Sequence, residues 1–122
     1  AIPPGAVAAV GAALDILEAE PERRERLWEN TRYMKRELEG LGFETCGSES
    51  PVIPLLIGED GATYQMARRL QEEGVFVNSV VTPAVPPGHG VIRTSYMATH
   101  NREHLDRALG AIAKVGRELS II

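Results

Sequence analysis

The chain switches repeatedly between a helical and a strand-like hydrophobic period, and this alternation limits its fold more than any other feature. Val7, Val10, Leu14 and Leu17 recur at helical spacing behind Pro3-Pro4, and the pattern stops near Glu20-Pro21. Leu27, Thr31, Met34, Leu38 and Leu41 then form the buried stripe of a second predicted helix. Arg23, Arg24, Glu29, Arg32 and Lys35 fall mostly off that stripe, and Gly40 and Gly42 supply its stop signal. From Phe43 the apolar runs become too short for helices. Phe43–Cys46 reads as a strand, and Val52–Ile57 as an edge or bulged strand because Pro54 cannot donate to a ladder. Helical spacing returns over residues 61–73 through Ala62, Met66 and Leu70, closed by Gly74. Val75–Val77 reads as a third strand, Thr82–Gly90 as a loop with three prolines and two glycines, and Val91–Met97 as a fourth strand. Asn101 is placed to cap a last helix whose stripe is Leu105, Leu109, Ile112, Val115 and Leu119.

Two helices, two strands, a helix, two strands and a helix imply an α+β fold. The expected form is a small, mostly antiparallel sheet with helices packed on one face. A length of 122 residues suits one compact domain, and 43% hydrophobic with 25% charged residues is an ordinary globular composition. The net charge of −4 argues against a nucleic-acid binder, which needs a basic face. Val52–Ile57 is too short to span a bilayer, and Ala1–Gly5 has no basic segment leading into an apolar core. The single cysteine, Cys46, cannot form an internal disulfide, which suits a cytoplasmic protein. The chain opens on Ala1 rather than methionine, which raises the expectation of a processed or excised piece.

Arg93 stands out chemically. It lies in the apolar segment Val91–Met97, and strand alternation places it on the face of Val91, Ser95 and Met97. Its planar guanidinium can hold a carboxylate through two parallel hydrogen bonds, which lysine cannot copy. Residue pattern by itself favours a simpler account, an exposed arginine on the polar face of an edge strand. The loop Thr82–Gly90 is stiffened by its prolines, as a cleft wall or merely as a connection. His100 and His104 flank Glu103 at a spacing that invites a metal, but only His89 could add to them, so no metal site is expected. Cys46 reads as a small residue at a strand edge, Arg23–Arg26 as a solvated helix face, and no phosphate-binding glycine motif occurs.

Pro83-Ala84-Val85-Pro86-Pro87-Gly88, Ile92-Arg93-Thr94-Ser95, Ala98-Thr99-His100 and Glu103-His104-Leu105-Asp106 together resemble the C-terminal signature of the α-oxoamine synthase family. Ile2-Pro3-Pro4 before an alanine-rich helix is similar to the stretch shortly after that family's cofactor lysine. The resemblance covers essentially the whole chain. It implies the C-terminal small domain of the pyridoxal-phosphate (PLP) fold of aspartate-aminotransferase type. Residues 1–20 would be a helix leading from an absent PLP-binding large domain, and residues 21–122 the small domain itself. The activity implied is condensation of an amino acid with an acyl-CoA to an α-amino ketone, in a homodimer. PLP acts in such enzymes as the electron sink for a carbanion.

Within that resemblance Arg93 binds the substrate carboxylate, and Thr82 and Pro83 belong to a loop at the mouth of the active site. No catalytic, cofactor-binding or metal-binding residue is expected in this chain. Its only lysines, Lys35 and Lys114, lie on predicted helices rather than in the serine-rich setting of the family's Schiff-base lysine, so the isolated chain is expected to be inactive. Thr99 and Tyr96-Met97 depart from the family's usual residues, which leaves the acyl preference open. Two other readings share these residues. One is the small domain of a related PLP enzyme such as an aminotransferase. The other is a free-standing carboxylate-binding or oligomerisation module.

Overall fold

The computed structural model describes residues 1–122 and contains four helices and three strands in chain order: α1 (Pro4–Ala19), α2 (Pro21–Leu41), β1 (Val52–Gly58), α3 (Asp60–Glu72), β2 (Asn78–Val80), β3 (Gly90–Ser95) and α4 (Arg102–Glu118). The strands form one antiparallel sheet in the order β1-β3-β2. Alternation along β1 and β3 sends Ile53, Leu55, Ile92 and Thr94 to one side, where all four are buried. Helices α2, α3 and α4 cover that side with Met34, Leu38, Met66, Leu70, Leu105, Leu109, Ile112 and Val115. The expected α+β sheet with helices on one face is therefore present. No helix is long and apolar enough to cross a membrane.

Two expected strands are absent. Phe43–Cys46 keeps strand-like burial at Phe43 and Thr45, and the Leu56 N–H donates to the Glu44 carbonyl at 2.9 Å. Cys46 and Gly47 then both take left-handed φ, 55° and 66°, which turns the chain away before a ladder can grow. Val75–Val77 also lies outside the sheet, leaving Phe76 81% exposed, and pairing with β3 starts only at Asn78. The strand after the proline loop runs Gly90–Ser95 rather than Val91–Met97, and it is central, not an edge. Pro54 does sit on an edge strand, with β3 its only neighbour.

The two N-terminal helices correct the stripe assignments. On α2 the buried residues are Asn30, Thr31, Met34 and Leu38, while Leu27 and Leu41 are only half-buried. Helix α1 buries no residue at all: Val7, Val10, Leu14 and Leu17 are 50–60% exposed. Its apolar face is formed but covered by nothing in this chain. At the other end, Asn101 caps α4 as expected. Its side chain accepts from the His104 N–H at 2.9 Å, and His104 Nδ1 accepts from the Asn101 N–H at 3.3 Å.

Candidate functional site on the open face of the sheet

The side of the sheet opposite the helices is uncovered, and its residues follow from the register. One row across the three strands is Leu56, Val91 and Val80, all half-buried and apolar. The next row is Pro54, Arg93 and Asn78. Beyond it Val52 pairs with Ser95. Arg93 is exposed at the middle of this face, forms no ion pair within the chain, and is the only charge in these rows. An apolar row beside a single unpaired guanidinium suits a ligand with a carboxylate on a largely uncharged body.

Sequence alternation placed Arg93 on the face of Val91, Ser95 and Met97; the structure shows the first two there, while Met97 lies beyond the end of β3, and alternation had no means of naming Pro54 and Asn78. Those neighbours come from distant parts of the chain and are joined to Arg93 only by pairing. Thr82, followed by Pro83, lies in the turn that leaves the end of β2 at Val80. There it is tied to the start of α3, whose Asp60 Oδ1 accepts from both the Thr82 N–H and hydroxyl at 3.3 Å. The far end of the loop is fixed at Gly90. A Cβ there would stand 2.9 Å from the Gly58 carbonyl and closer still to the Thr63 hydroxyl, so only glycine fits between β3 and α3.

Two polar networks hold β3 from behind. Tyr96 Oη donates to Thr94 Oγ1 at 2.7 Å, and Thr94 Oγ1 donates to the Ile53 carbonyl at 2.7 Å. Asn30, buried on α2, donates through Nδ2 to the carbonyls of Met97 (3.0 Å) and His100 (2.9 Å). His100 Nδ1 accepts from the Met97 N–H at 3.1 Å. The clue to Asn30 in the sequence was its place beside the second helix's apolar stripe, where a polar residue needs buried partners. His100 and His104 thus serve the turn and the helix cap between β3 and α4.

Burial pushes the Tyr96 phenol from 10.0 up to about 12, with its bond to Thr94 acting the other way. The folded chain therefore keeps this proton where the unfolded chain loses it. The associated stability is complete below pH 10 and is lost as pH rises towards 12. A two-unit difference corresponds to about 2–3 kcal/mol. Thermal unfolding from pH 9 to 12 should show Tyr96→Phe losing less stability over this interval than the wild type. Parallel curves would mean that Tyr96 ionises equally in both states.

A groove of about 480 Å³ opens elsewhere, on the helix-covered side, between residues 73–77 and α4. Its lining includes Phe76, Leu105, Ala108 and Ile112 but not Arg93. Its Tyr96 and Thr94 hydroxyls are already committed, Tyr96 to Thr94 and Thr94 to the Ile53 carbonyl. Both lysines have partners within the chain. Lys35 Nζ donates to the Ser48 carbonyl at 2.7 Å, and Lys114 Nζ pairs with Glu73 at 2.8 Å.

Comparison with known proteins sets this face in context. Residues 1–112 match the family described as aminotransferase class I and II. The chain is 51% identical over 120 residues to the 8-amino-7-oxononanoate synthase of Symbiobacterium thermophilum, covering 98% of this chain and 31% of that protein. It is 42% identical to the serine palmitoyltransferase of Bacteriovorax stolpii, covering 98% of this chain and 29% of that one. Among solved structures, a serine palmitoyltransferase from S. paucimobilis with a bound PLP–myriocin aldimine superposes with a TM-score of 0.92 at 30% identity, over 100% of this chain and 31% of that one. The chain thus spans about three-tenths of the length of these relatives. This α+β unit belongs to the aminotransferase class I and II family, and within it corresponds to the C-terminal region of the α-oxoamine synthases.

Proposed function

We propose that this chain is the small domain of a PLP-dependent acyltransferase that condenses an amino acid with an acyl-CoA to give an α-amino ketone. Its own contribution is Arg93, which binds the amino-acid carboxylate. The observation that carries this reading is the position of that guanidinium, exposed and unpaired at the centre of an uncovered sheet face. Holding the carboxylate at a fixed point orients the bonds at Cα, which lowers the entropic part of the barrier. The Thr82–Gly90 loop, pinned at Asp60 and Gly90, walls the approach to this face, with Thr82 and Pro83 at its start.

Residues 1–20 form the connection into a PLP-binding large domain, and residues 21–122 the small domain. The uncovered apolar face of α1 supports this division, since 50–60% exposure of four aliphatic side chains calls for a covering surface. The assembled enzyme is a cytoplasmic homodimer. The cofactor's covalent anchor does not fit this chain, because both lysines are engaged in structural contacts away from the open face. PLP would come with the large domain and supply the electron sink.

The direct test is a spectroscopic titration with PLP of this chain and of the full-length protein that contains it. The expected result is a Schiff-base band in the full-length protein alone, shifting when an amino acid is added. A band from this chain with borohydride-stable labelling at Lys35 or Lys114 would overturn the assignment of the cofactor anchor. No response in either protein would remove the enzymatic reading and leave a carboxylate-binding or oligomerisation module.

A further inference from the structure

The register places one more side chain where it can meet whatever Arg93 holds. Asn78 on β2 is the direct antiparallel partner of Arg93 on β3, and directly opposed residues project from the same face. Both are exposed. Such pairs stand with Cβ atoms about 4.5–5.5 Å apart, closer than the next residue along the same strand. The opposite neighbour, Pro54, offers no hydrogen-bonding side chain, and neither do Val52, Leu56, Val80 and Val91. Ser95 is polar but lies two residues further along β3. Asn78 is therefore the nearest side chain able to share a polar ligand with the guanidinium.

The chemistry is complementary. An ionised carboxylate offers about four lone-pair positions, of which a bidentate guanidinium occupies two. An amide N–H can take a third, and it does so without adding charge. A carboxylate in place of the amide would pair with Arg93 and repel the ligand.

We infer that Asn78 is a second substrate-contacting residue of the carboxylate site, its amide hydrogen-bonding the same amino acid that Arg93 binds. This inference rests on the reading of Arg93 given above. It is tested in the full-length holoenzyme by measuring KM for the amino acid and for the acyl-CoA in Asn78→Ala, Asn78→Asp, Arg93→Ala and the Asn78/Arg93 double alanine variant. Asn78→Ala should raise the amino-acid KM by about tenfold, the loss of one hydrogen bond to a charged group. Asn78→Asp should raise it further, and the acyl-CoA KM should stay within about twofold in both. In the double variant the two effects should be clearly less than multiplicative, since both residues address one ligand. If Arg93→Ala raises the amino-acid KM while both Asn78 variants leave it unchanged, the inference fails and the Arg93 reading stands. If Arg93→Ala leaves it unchanged, the Arg93 reading itself fails and the inference with it.

Discussion

Replacing Arg93 with alanine in the full-length enzyme is expected to raise the KM for the amino acid by about 100-fold. Charge-assisted hydrogen bonds contribute roughly 1.5–3 kcal/mol each, and losing a bidentate pair at a site open to water corresponds to about 3 kcal/mol in all. The KM for the acyl-CoA should change little, because the carboxylate that Arg93 is proposed to hold belongs to the amino acid. Stability should also hold. Arg93 is exposed and makes no ion pair within the chain, and substitutions at such positions usually stay within about 0.5 kcal/mol. Arg93→Lys keeps the charge but not the planar fork, so it should recover part of the loss, to about tenfold from wild type. Steady-state kinetics in both substrates, with a melting curve for each variant, would decide the matter. Equal losses for both substrates, or a large fall in Tm, would make Arg93 a structural residue.

The neighbouring position should behave in the opposite way. Ile92→Ala is expected to destabilise the fold by roughly 2–5 kcal/mol, the range for emptying a packed aliphatic site. Ile92 is fully buried on the central strand, between Leu55 of β1 and Ser79 of β2, with the helices packed over it. Collapse around the hole is limited because the sheet backbone is held by ladders on both sides of β3. A domain of this size has only about 5–15 kcal/mol of net stability, so this one side chain accounts for a large share. Denaturant titration should show a lower midpoint with an unchanged slope. A shift under about 1 kcal/mol would mean that the core refills the space. Two adjacent residues would then separate cleanly, one carrying ligand binding and one carrying the fold.

That separation was only partly visible in the amino-acid order. The helices were legible because their signals are local: Asn101 with His104 for the α4 cap, Gly42 after α2, Gly74 after α3, and the aliphatic period of residues 105–115. The alternation around Arg93 was legible for the same reason, and so was the stiff loop before it. Phe43–Cys46 and Val75–Val77 misled because strand character is completed by a neighbour. Each has the composition of a strand, but the turn at Cys46-Gly47 and the late start of pairing at Asn78 deny them a ladder. Thr82 and Pro83 entered the expected site by family resemblance, and no local signal announced the bonds that tie Thr82 to Asp60.

What the sequence by itself determined is therefore the inventory: an α+β chain, its helix ends, a single arginine in an apolar strand, and a resemblance that named the family. Only the tertiary structure decided that this strand is central, that its arginine faces an uncovered side, and that Pro54 and Asn78 stand beside it. The physical reason is the reach of the interactions. Caps and periodicity are set by residues three or four apart, whereas strand order and register depend on pairing between segments far apart in the chain and on which face the helices bury. The bare apolar face of α1 follows the same logic, since its pattern was written locally while nothing in the fold of these residues buries it.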